Sequence, residues 1–64
     1  MPPNERLVTT ANIARHDDFY AELLRAHEGL NDEDSQMFNT RLILILANHI
    51  GNTDVLKQAL AIAK

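Results

Sequence analysis

Three histidines, His16, His27 and His49, are the side chains of this 64-residue sequence that titrate near neutral pH, and so are the first candidates for proton transfer or metal binding. A zinc site built on one helix needs two imidazoles a turn apart. The sequence contains no HExxH, no HxH and no glutamate-plus-ExxH repeat of the di-iron bundles. His27 and His49 each fall within an apolar helical face near its C-terminal end, where an imidazole commonly packs in a core while bonded to backbone or carboxylate. In an antiparallel helix pair they lie at opposite ends of one chain, so they can form a ligand or polar site only at a junction between subunits. His16, Asp17 and His49 could converge at the other end of the bundle. We expect neither a resident metal nor a cofactor.

Nucleophilic and acid–base chemistry have less to work with. Ser35 is a first-turn helix residue with no acid–base companion that the sequence defines. The carboxylate pairs Asp17–Asp18 and Asp32–Asp34 sit where helices begin, and nothing brings them to a cleft. Gly29 and Gly51 are isolated, so neither belongs to a phosphate-cradling loop, and each stands where a helix should stop. With no cysteine there is no thiolate, no disulfide framework and no cysteine-based zinc site. A chain this short could hardly enclose a drug-sized pocket of about 300 Å³ or more. No catalytic residue is assigned and the chain is not expected to be an enzyme.

The elements that must position these residues are short. Sixty-four residues make one domain at most, which buries only about 60% of the surface its unfolded chain exposes. The composition is 45% hydrophobic but 5% aromatic, which favours an aliphatic helical core over disorder. The formal net charge is -3 with six Lys plus Arg, so the counterion release that drives nucleic-acid binding is weak and no nucleic-acid partner is expected. The Met-Pro-Pro-Asn start lacks the basic and apolar regions of a secretion signal. The longest apolar run, residues 42–47, is far short of the roughly 18–20 residues of a membrane span. These features, with the absence of cysteine, favour a cytoplasmic protein that does not enter membranes.

Residues 1–15 show no helical period and read as an extended N-terminal arm; residues 16–64 read as a three-helix domain. The first helix should begin at His16–Asp17, with Asp17 capping and Asp18 in the positive first turn, and stop at Gly29. Phe19, Tyr20, Leu23, Leu24, Ala26 and His27 share its apolar face, and Leu30 could fold back on it through a Schellman cap. Asn31 should cap a second helix whose first turn holds Asp32, Glu33 and Asp34, running to Ile50 and closed by Gly51. The third should start at Asn52 or Thr53 and bury Val55, Leu56, Ala59 and Leu60.

One stretch is poorly served by three short helices. Leu42, Ile43, Leu44, Ile45 and Leu46 are consecutive, and on a helix five consecutive residues point in every direction. Phe38, Leu42, Ile45, Leu46, His49 and Ile50 make a wide stripe suited to the other two helices. Met37 and Leu44 lie on the opposite side beside Arg41 and Asn48, at the alternating spacing of a coiled-coil seam. We expect Met37, Arg41, Leu44 and Asn48 to form a two-fold interface, with Asn48 setting register and Arg41 reaching an acidic group across it. The alternative is that the N-terminal arm covers Leu44 and the rest is solvated.

The segments Asp17-Asp18-Phe19-Tyr20, Ala26-His27-Glu28-Gly29-Leu30, Asn39-x-Arg41-Leu42 and Leu46-Ala47-Asn48-His49-Ile50-Gly51 together resemble a family of short bacterial proteins catalogued only as a domain of unknown function. The resemblance runs from about Ile13 to the C-terminus and includes no catalytic signature. It implies a bacterial source and an accessory role, and names no residue for it. The expectation is an all-α, small three-helix bundle that self-associates. Its function would be that of a non-catalytic oligomer, a homodimer or larger, that serves a bigger protein partner. The competing expectation is a ligand- or metal-binding module using His27 or His49 at a subunit junction.

Overall fold

The computed structural model describes residues 6–64; the Met-Pro-Pro-Asn start lies outside them. The described residues form three helices, α1 (His16–Ala26), α2 (Asp32–Ile50) and α3 (Thr53–Ala63), and the protein is all-α. Residues 6–13 run without regular structure along the outside of the helices, and the backbone N–H of Leu7 donates to Oε1 of Gln58 on α3 at 3.2 Å. The arm therefore lies against α3, and Leu44 on α2 stays bare.

The start of α2 follows from Asn31, whose backbone is extended and whose side-chain Oδ1 accepts the Asp34 N–H at 2.8 Å, with three acids behind it in the first turn. Its end follows from Gly51, which takes the left-handed conformation at φ 73° and bonds back to the Ala47 carbonyl. After Gly51 a single further residue leads into α3. That residue, Asn52, caps α3 by accepting from both Asp54 N–H (3.0 Å) and Val55 N–H (3.2 Å).

α1 is built differently from the expectation at both ends. Asp17 does not cap it. Arg15 occupies the N-cap in the left-handed region at φ 56°, with no side-chain cap bond, and its guanidinium instead bridges the first turn to Asp18 at 2.6 Å. At the other end the Schellman pair does not form. The chain unwinds through three-residue turns, His27 N–H to Leu24 C=O, Glu28 N–H to Arg25 C=O and Leu30 N–H to His27 C=O, before Gly29 at φ 78° redirects it.

The packing is open. Val55, at 7% exposure, is the single buried residue among those described, and Leu7, Leu23, His27, Phe38, Leu42, Leu56 and Ala59 are half-buried. The radius of gyration is 13.6 Å, against about 10.7 Å for a compact domain of this length. The inner stripe expected on α2 is only half realised: Phe38 and Leu42 are partly covered, whereas Ile45, Leu46 and Ile50 are exposed. On α1, Phe19, Tyr20 and Leu24 are exposed, and on α3 so is Leu60. The physical reason is geometric. Among the described residues α1 itself does not pack along α2; its C-cap residue His27 reaches Phe38 and Asn39, so α1 leaves the second half of α2 uncovered.

Candidate functional site

Two features stand out, a polar junction at His27 and a bare aliphatic turn on α2. At the junction, Nδ1 of His27 lies 2.7 Å from the Leu23 carbonyl one turn back, and Nε2 lies 2.9 Å from Oδ1 of Asn39 on α2. The ring stands edge-on to Phe38, with centroids 4.8 Å apart and planes at 70°. The bond to the Leu23 carbonyl and then the Asn39 amide oxygen hold the His27 pKa above the ordinary imidazole value, opposed by partial burial. A positive charge here also suits the C-terminal end of α1. Both ring nitrogens are engaged within the chain, so His27 has no lone pair directed at a ligand.

His49 is not part of this junction. It stands ten residues beyond Asn39 on α2, roughly 15 Å along the helix axis, so the two histidines do not meet within one chain. His16 neighbours Asp17, with Nε2 to Oδ1 at 3.6 Å, and the concavity it lines is shared with residues 8–13 of the arm. His49 takes no part in that concavity, and no group of three or more His, Asp or Glu suited to a metal ion occurs among the described residues.

The bare turn comprises residues 43–46. Ile43, Leu44 and Ile45 are 63%, 64% and 65% exposed, and Leu46 is 48% exposed. Successive helix residues are about 100° apart, so these four side chains together face almost the whole circumference of α2. The expected interface residues lie on one strip of this surface. Met37 and Leu44 are both exposed, and Arg41 and Asn48 make no hydrogen bond or ion pair among the described residues, where the ion pairs are Arg15–Asp18, His16–Asp17 and Arg25–Glu22. Arg41 and Met37 share an open groove with Glu33, Gln36 and Thr40. The sequence marked His27 as a polar-site candidate bonded to backbone or carboxylate; the backbone partner is Leu23, and the side-chain partner is the amide of Asn39 rather than a carboxylate. The helical period assigned Ile45 and Leu46 to the interior, although five consecutive aliphatic residues were the signal that no interior of this size could hold them.

A short all-α protein with a thin core, a histidine–asparagine junction and a bare aliphatic turn is what fold and site together define. The chain belongs to the family described as "Protein of unknown function (DUF2783)", whose family model matches residues 7–64. Searches of curated proteins and of solved structures found no match. No helix among the described residues is long and apolar enough to cross a membrane.

Proposed function

We propose that the protein is a small, non-catalytic helical association module of the bacterial cytoplasm, which self-assembles and serves as an accessory partner of a larger enzyme. The observation that carries this reading is the bare turn at residues 43–46, flanked by Met37 and Ile50. Burying one large aliphatic side chain contributes about 1.5–3 kcal/mol, and a small domain has only about 5–15 kcal/mol of net stability, so several such side chains in water are a deficit that association removes. Met37, Arg41, Leu44 and Asn48 form the exposed strip on which a neighbouring helix would seat. Arg41 is available there for a carboxylate across the contact, and its planar fork suits one.

The ligand-binding alternative on His27 and His49 is less well supported, because His27 spends both ring nitrogens inside the chain and His49 lies about 15 Å away along α2. The weakly acidic balance of nine Asp plus Glu against six Lys plus Arg gives no basis for a nucleic-acid partner. Affinity purification of the tagged protein from its native host, beside Leu44→Glu, tests the accessory role. We expect one host protein at fixed stoichiometry with the parent chain and its loss with the variant. No enriched chain under either condition would contradict the accessory reading.

A further inference from the structure

We infer that a second copy of this chain wraps the 43–46 turn of α2 from more than one side, so that folding and dimer formation are a single event; this deepens the association reading and rests on it. The argument begins with angles. Taking Leu44 as reference, Ile45 lies about 100° round the helix, Leu46 about 200° and Ile43 about 260°, so the four together span about 260°, far more than the roughly 100°-wide stripe that one neighbouring helix covers. A single helix–helix seam through Met37 and Leu44 would leave Ile43, Ile45 and Leu46 in water. The missing cover must come from at least two helical neighbours, and α1 and α3 of the same chain do not supply it.

The same sequence carries the surplus that matches this deficit. Phe19, Tyr20 and Leu24 on α1, and Leu60 and Ile62 on α3, are bare apolar residues on two 11-residue helices. Each of those helices is about 16 Å long and marginal by itself. A second copy brings an α1, an α2 and an α3, enough neighbours to enclose the turn, and two-fold symmetry lets each copy return the same cover and closes the assembly.

The surface area agrees. The chain exposes 5970 Å², whereas a compact monomer of 7.2 kDa exposes about 4,100 Å² and five fully extended residues add only about 800 Å². A dimer as compact as other proteins of its mass would expose about 6,800 Å², so forming one from two such chains would remove roughly 3,500–5,000 Å² from water. That lies within the range of about 2,000–5,000 Å² typical of obligate homodimers.

The test uses the full unaltered chain. Isotopically labelled and unlabelled copies are unfolded together, refolded as a mixture, and examined for filtered nuclear Overhauser contacts that cross between copies. We expect crossing contacts at the methyl groups of Ile43, Ile45 and Leu46, some of them to Phe19 or Tyr20. Crossing contacts confined to Met37 and Leu44 would replace the wrapped dimer by a single seam and overturn the inference. So would a helical 7.2 kDa species with no crossing contacts. If that monomer still retained a host protein, the accessory reading would survive and the wrapped dimer alone would fall.

Discussion

Asn39 presents its amide oxygen to Nε2 of His27 at 2.9 Å while the Leu23 carbonyl faces Nδ1 of the same ring at 2.7 Å, so two acceptors hold one imidazole between α1 and α2. Two acceptors require two N–H donors, which only the imidazolium has.

Stability should therefore fall as pH rises. The His27 pKa is raised in the folded chain above 6.5, so its stabilising contribution is complete below that value and is lost as pH climbs through the raised one. The thermal midpoint of the parent chain minus that of His27→Gln should be larger at pH 5.5 than at pH 8.5, at equal protein concentration. An unchanged difference would mean that the Asn39 amide is rotated, with its NH₂ donating to a neutral ring.

Phe38 meets the edge of the same ring, and an aromatic pair of this geometry contributes about 0.5–1.5 kcal/mol beyond its buried area. Phe38→Leu should cost about 1–2 kcal/mol in denaturant unfolding, and most of that cost should vanish in a His27→Ala background. Equal losses in both backgrounds would show that Phe38 acts through packing alone.

The α2–α3 junction depends on two adjacent residues. Asn52 accepts two backbone N–H groups, so Asn52→Ala should cost about 1–2 kcal/mol, more than Asn31→Ala, which frees one. At Gly51 a Cβ would meet nothing nearer than the Asn48 carbonyl oxygen at 3.8 Å, so the penalty of Gly51→Ala, about 1 kcal/mol, arises from the positive φ of 73°. Gly51→Asn should recover part of it, because asparagine tolerates that conformation better. Equal midpoints for the Ala and Asn variants would refute the backbone explanation.

Arg41→Met and Asn48→Leu should alter assembly geometry more than stability. Each removes a side-chain polar group that has no partner among the described residues, leaving the neighbouring apolar strip intact. Light scattering should show a changed stoichiometry or a broadened mass distribution. Parental mass and midpoint in both variants would return the two residues to the solvated surface and confine the strip to Met37 and Leu44.

The ends of α2 and α3 were legible in the sequence because their causes are local: Asn31, Gly51 and Asn52 act on backbone groups within four residues of themselves. The start of α1 at His16 was legible too, but its capping residue was not. Asp17 looked like the cap by residue type, but the left-handed Arg15 occupies the N-cap and bridges to Asp18, and nothing in a sequence announces a non-glycine residue at positive φ. The His27–Asn39 bond joins residues twelve apart and depends on the turn through Gly29, so periodicity could mark both residues without pairing them. The aliphatic run at residues 42–46 showed that the chain holds more apolar surface than one small core can use. Which members stay bare was decided by where α1 ends, a tertiary fact.

Sedimentation equilibrium of the untagged chain from about 0.1 to 100 µM, with far-UV circular dichroism on the same samples, tests most directly whether the 43–46 turn is covered by a second copy. A wrapped dimer predicts twice the 7.2 kDa chain mass at the upper end and a parallel loss of mass and helicity on dilution. A 7.2 kDa species that keeps its full helicity at every concentration would contradict it.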